Sequence, residues 1–232
     1  MNIDDNKLIF TRLFHLMPIA VGTSQCESLS SYMARLAEEH SVDLGVLIAH
    51  EIVPVLQRPY LIRMAAKGGT ALYNRGWSIN GTGDTAEGFA RCLEELTNVR
   101  KLRALTMWPW RTVIPSRGLM REHRAWCPLC FDDWRNNEQP IYEPLLWNIM
   151  SASICGTHKI PLATRCPHRS CGMSLPILTR SLRVGHCSKC NRWLGSKGKR
   201  QKGVPVQLQR YRANMWIVQS IGDLIHRTPE IV

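Results

Sequence analysis

Apolar residues recur at helical spacing before residue 106 and after residue 205, and four paired Cys/His half-sites lie between them, within residues 127–190. Those two observations, with a basic excess concentrated in the second half, predict a mainly α fold with small zinc-ribbon-like modules. The expected order is an N-terminal helical, helix-turn-helix-like domain over 1–115, tandem zinc fingers over 116–192, and a basic linker with a C-terminal helix over 193–232.

Residues 8–22 read as an extended lead-in strand or arm, ended by Pro18 and Gly22. Next, Leu29, Met33, Leu36 and Ala37 fall on one helical stripe, with Ser28 placed to cap it. A break at Ser41–Asp43 precedes a second apolar stretch, Leu44–Ile52, which Pro54 is expected to stop. Helix, short turn, helix is the outline of a helix-turn-helix. No Arg, Asn or Gln cluster opens its second helix, so base readout there has no evident reader. Residues 67–83 are rich in Gly, Asn, Ser and Thr and read as a loop. Asp84-Thr-Ala-Glu87 offers a capping-box-like start to a helix whose stripe is Phe89, Cys92, Leu93 and Leu96. A shorter helix over Asn98–Leu105 turns Val99, Leu102 and Leu105 inward, and Met107-Trp-Pro-Trp-Arg111 breaks it. The last helix runs about Val206 to His226, with Leu208, Tyr211, Met215, Val218 and Ile221 as its stripe.

The half-sites are Cys127-Pro-Leu-Cys130, Cys155-Gly-Thr-His158, Cys166-Pro-His-Arg-Ser-Cys171 and Cys187-Ser-Lys-Cys190. A tetrahedral zinc ion takes four soft or borderline ligands, and two of them a few residues apart on a tight turn supply half a site. Pairing in sequence order gives one centre from Cys127, Cys130, Cys155 and His158 and another from Cys166, Cys171, Cys187 and Cys190. The loops inside the two centres hold 24 and 15 residues, which suits ribbon-like modules. His168 and His186 stand beside the second set and could replace a neighbouring cysteine; the two alike Cys-Pro turns favour the cysteines. Cys92 belongs to an apolar stripe, and Cys26 has no close partner in sequence. Met1–Asp5 is polar and Arg12, His15 and Pro18 break the first apolar stretch, unlike a signal peptide. A reducing cytoplasmic setting, close to the nucleoid, is therefore expected, where clustered cysteines hold metal rather than disulfides.

The formal charge is +12. Thirteen Lys and Arg and no acidic residue lie between Glu143 and Asp223. Zinc thiolates would absorb part of this, roughly three charges over two closed centres. The remaining excess points to a polyanionic partner such as DNA or RNA. Lys197, Lys199, Arg200 and Lys202, on a glycine-rich stretch, are the candidate phosphate contacts. No apolar run is long enough for a membrane span, since Asp43–Leu56 contains His50, Glu51 and Pro54. Catalysis has no support: both metal sites are closed by side chains, and there is no Ser/His/Asp set, phosphate loop or paired carboxylates.

Glu27-Ser-Leu-Ser-Ser-Tyr-Met-Ala-Arg-Leu-Ala, the Leu96-Thr-Asn…Leu102…Leu105-Thr106 stretch, and Arg124-Ala-Trp-Cys-Pro-Leu-Cys130 with Trp147…Cys155-Gly-Thr-His158…Leu162…Cys166-Pro together resemble the TniQ/TnsD transposition proteins. The resemblance spans about residues 10–190, and the metal segment is its most specific part. It implies a non-catalytic target-selection adaptor of transposons related to Tn-seven. Such an adaptor links a guide-RNA (CRISPR) effector or a DNA site to an AAA+ ATPase regulator of the TnsC kind, and so to the transposase. Only 42 residues follow Cys190, which is similar to the compact adaptors of CRISPR-associated transposons. The alternative it implies is a TnsD-like protein that reads an attachment site directly. A second copy of the chain is a further candidate partner, and a membrane is not.

Overall fold

The computed structural model of the protein describes residues 11–58, 63, 73–196 and 208–228. Helix α1 spans Leu29–Glu39, entered through Ser28, whose Oγ accepts the Ser31 N–H at 3.3 Å. Its predicted stripe is buried, but so are Ser30, Ser31, Tyr32 and Ala34, so α1 is a central helix rather than a surface one. Helix α2 runs as Leu44–Leu47, a π-helical stretch Ile48–Ile52, and Val53–Leu56. Pro54 therefore does not stop it. The Val53 N–H bonds to the Ile48 carbonyl five residues back, and the widened turn makes room for the proline ring. Gln57, left-handed at φ 48°, ends the helix instead.

Residues 67–72 of the predicted loop lie outside the described residues, while Gly76–Asn80 forms a 3-10 turn rather than open loop. Helix α3 covers Asp84–Thr97 and buries Phe89, Cys92, Leu93 and Leu96 as its pattern requires. The expected capping box does not form. Gly83 is the cap, and Asp84 and Glu87 instead face the positive end of the helix dipole from the first turn. The helix predicted over 98–105 shrinks to a 3-10 turn, Leu102–Leu105. Asn98 and Lys101 both take positive φ, 56° and 64°, which no α-helix tolerates. Val99, Leu102 and Leu105 still point inward. The lead-in, described from residue 11, is irregular rather than a strand; Leu13 docks on α3 through its N–H to Leu96 O (3.0 Å).

Helix α4, Pro128–Asn136, and helix α5, Leu208–Arg227, complete the set. Among the described residues there is no strand, only isolated bridges, so the fold is mainly helical as expected. No helix there is long and apolar enough to cross a membrane. Two cores hold the molecule. The larger joins α1–α3 to Leu145, Leu146, Ile149, Leu178 and Leu182, and to Val218 and Ile225 of α5. It thus crosses residues 115 and 192. The smaller packs Trp126, Phe131, Trp147, Leu162, Leu175 and Leu194 around the cysteines.

Candidate metal centres

Cys127 caps α4 from an extended backbone, and Pro128, with its φ preset, opens the helix that brings Cys130 to the same side one turn later. Cys155 and His158 sit on a hairpin tip closed by the Ile154–Pro161 bridge, where Cys155 N–H meets Ile160 O at 2.8 Å. Lys159, at φ 57°, supplies the left-handed residue that turns the chain back. Across the two half-sites, Cys130 Sγ lies 3.5 Å from Cys155 Sγ, and His158 Nδ1 lies 3.2, 3.5 and 3.9 Å from the sulfurs of Cys130, Cys127 and Cys155.

The other four ligand candidates repeat the hairpin device. Arg165–Ser174 brackets Cys166 and Cys171, and His186–Trp193 brackets Cys187 and Cys190. Gly172 (φ 56°) and Asn191 (φ 55°) are the turning residues. Cys166 Sγ is 3.8 Å from Cys190 Sγ, and Cys171 Sγ is 3.8 Å from Cys187 Sγ. In each quartet all ligand atoms lie within 4.8 Å of one another, so both could hold a metal ion. His168 and His186 stay outside: His168 Nε2 meets Trp193 O at 3.0 Å, and His186 Nδ1 meets Val184 O at 3.1 Å.

Donor chemistry and spacing both fit zinc. Bonds of about 2.3 Å to sulfur and about 2.0–2.1 Å to nitrogen set tetrahedral edges of about 3.8 Å (S···S) and about 3.5 Å (S···N). The observed separations cluster around those lengths and exceed a disulfide bond of about 2.05 Å. Outside the first quartet, Asp133 of α4 places Oδ2 2.8 Å from His158 Nε2. That carboxylate accepts the Nε2–H, which leaves the Nδ1 lone pair facing the sulfurs. Backbone N–H groups also point at sulfur, His158 to Cys155 and Lys189 to Cys187, each at 3.4 Å. Hydrogen bonds from the Cys127 and Cys130 thiols pull the Cys155 thiol down, while the Cys127 and Cys155 sulfurs and burial push Cys130 up. Thiolates this close repel one another, and a cation among them would relieve that repulsion. Cys26 and Cys92 differ: burial raises both to about 12, as for inert core thiols.

Two ion pairs, neither singled out from the sequence, meet at Ser31 of α1: Arg124–Glu143 reaches it from the metal region, and Glu27–Arg35 lies at the start of the helix itself. Arg124 donates to Glu143 and, through Nη1, to His186 O at 2.9 Å, next to the second quartet. Glu143 in turn takes Ser31 Oγ on its N–H (2.9 Å) and gives its carbonyl to the Ser28 N–H (2.9 Å). Glu27, fully buried, accepts from Arg35 (2.6 Å), Ser31 Oγ (2.9 Å) and the Ile19 N–H (3.2 Å). Burial raises its carboxyl to about 7 against the opposing pull of Arg35. The available signal was ionisable residues set directly beside apolar runs: Glu27 before α1 and Arg124 before Trp126. Trp147 fills the smaller core edge-on to Phe131, with ring centroids 5.6 Å apart. Lys197, Lys199, Arg200 and Lys202 lie outside the described residues; Ser196, just before them, donates its N–H to Asp132 Oδ2 at 2.7 Å.

A family model described as TniQ matches residues 18–162, more than half of the chain. No curated protein matches it. The matched span takes in α1–α3, both ion pairs and the whole first quartet, and ends before Cys166. The chain therefore belongs to the TniQ family, and its TniQ domain carries a transposition-associated role.

Proposed function

We propose that the chain is a non-catalytic transposition adaptor braced by two structural zinc ions. Cys127, Cys130, Cys155 and His158 would hold one, and Cys166, Cys171, Cys187 and Cys190 the other. Bound there, zinc supplies cross-links, not a reactive position, because four side chains close each site. Modules this small cannot bury enough apolar surface to fold by themselves, so the metal stands in for core. Segments 1–115, 116–192 and 193–232 then divide labour within a shared core: helical platform, metal-braced platform, and basic tail. Lys197, Lys199, Arg200 and Lys202 touch nucleic acid phosphates, positioning without reading sequence. The adaptor joins a guide-RNA effector or DNA site on one side to a TnsC-like AAA+ regulator, and hence the transposase, on the other.

One observation carries this reading: Arg124, Glu143 and Ser31 bond the metal region to the helix that opens the TniQ signature. A rigid body of this kind can transmit the position of one partner to another. The TnsD-like alternative needs the start of α2 free for a DNA groove, yet the Gly45 N–H is bonded to Arg180 O at 2.8 Å, which favours the adaptor. The test is a pull-down of tagged protein from extract with and without nuclease. The adaptor reading expects an AAA+ ATPase in both and a nucleic-acid-dependent targeting complex only without nuclease. Recovery of DNA alone, with no ATPase under either condition, would favour the alternative.

A further inference from the structure

Beside the second quartet lies a cleft of about 630 Å³, bounded by the Arg165–Ser174 hairpin on one side and Leu194 to Ser196 on the other. Three arginines line it, Arg165, Arg169 and Arg192, and no carboxylate does. Among the described residues none of the three takes part in an ion pair. Two are held by neutral partners across the hairpins: Arg165 Nη1 by Gly172 O at 3.3 Å and Arg192 Nη1 by Ser170 Oγ at 3.5 Å. Asp132, which reaches the rim at Ser196, has Oδ2 engaged by Ser196 and Oδ1 by Trp193 Nε1 at 2.9 Å. On the wall, His168 is buried and its Nδ1 has no hydrogen-bond partner.

Surface arginines ordinarily find carboxylates, and the chain offers none between Glu143 and Asp223. Three guanidinium groups exceed the formal charge of about −2 on a four-thiolate zinc centre, so they are more than its counter-charge. A concave, cationic site with forked donors and no internal anion matches phosphate oxygens. The sequence continues from the rim straight into Lys197.

We propose that this cleft seats the phosphodiester backbone of nucleic acid, with Arg165, Arg169 and Arg192 on its phosphates. The proposal rests on the nucleic acid contact of the adaptor reading and moves that contact onto a folded surface. Phosphate contacts set register and carry no sequence information, so the cleft would grip any sequence.

The test uses the full zinc-loaded chain with short duplex DNA and single-stranded RNA of equal length, followed by fluorescence anisotropy over a salt series. In Arg165→Gln/Arg169→Gln/Arg192→Gln, log K against log[salt] should flatten by about 2–3 for duplex DNA and about 2 for RNA. Arg169→Glu alone should flatten it by about 1. Arg169 makes no hydrogen bond or ion pair among the described residues, so this variant leaves the hairpins intact. Triple Arg→Lys keeps the charge and should retain most of the slope. A loss confined to DNA or to RNA supports the cleft and identifies its polymer. If wild type binds and every variant keeps its slope, the cleft is overturned while the adaptor reading stands. If the triple variant only sheds metal and Arg169→Glu binds normally, the arginines merely balance thiolates and the cleft is again overturned. Wild type that binds neither polymer overturns both.

Discussion

Asp133 offers the sharpest separation of a candidate metal ligand from the group that would aim it. Its Oδ2 lies 2.8 Å from His158 Nε2, and it touches no sulfur of the first quartet. Removing such an outer carboxylate costs about 10–100-fold in metal affinity, or roughly 1.4–2.8 kcal/mol. Asp133 is 59 % exposed, and water screens its charge, so the lower end applies: about tenfold for Asp133→Ala. Asp133→Asn keeps an acceptor for the Nε2–H but loses the charge, and should fall between wild type and Ala. Competition against a chelator reads the two centres as separate release steps, with the second quartet as internal reference, and circular dichroism checks the fold. Release of the first zinc at wild-type chelator concentration in both variants would refute the carboxylate–imidazole argument. Equal weakening of both centres would refute it too, since Asp133 contacts only one.

Two further outcomes test the buried ion pairs. Arg124→Ala strands the Glu143 carboxylate and should cost about 3–5 kcal/mol in thermal or denaturant unfolding, whereas Arg124→Met with Glu143→Leu should recover most of it; a loss below about 1 kcal/mol for the single change contradicts the pairing. Glu27, raised to about 7 in the folded state from an ordinary 4.5, binds its proton more tightly when folded. Its contribution is complete below the unfolded value and is lost as pH rises through about 7. The stability of wild type relative to Glu27→Gln should therefore fall between about pH 4.5 and 7 and level off above, with a limiting slope of about 1.4 kcal/mol per pH unit. A flat or rising difference in urea titrations sinks that assignment.

Local features are legible in the sequence. Ser28 capping α1 and the Phe89–Leu96 stripe of α3 depend on neighbours within one or two turns, so pattern alone finds them. The misreadings involve competing local signals. Pro54 looked like a stop because the rule assumes α-helical bonding, and a π-helical turn upstream changes which carbonyl the ring meets. The 98–105 segment has helical spacing of its apolar residues, but two left-handed residues divide it, and apolar spacing says nothing of φ. Asp84 and Glu87 carry the letters of a capping box one position too late, with Gly83 taking the cap. Helix α4 was hidden because Cys127 to Cys130 read only as a metal turn.

What the amino acids determined by themselves is the chemistry of short range: ligand types at turn spacing, helix starts, and a cationic stretch without acids between Glu143 and Asp223. These follow from bond geometry and side-chain identity within a few residues. Which distant groups meet was decided only by packing: Asp133 behind His158, Arg124 between Glu143 and His186, and three arginines around one cleft. Those pairings join residues up to 62 positions apart. They exist because two apolar cores, crossing every boundary the pattern suggested, fold the metal region back onto α1.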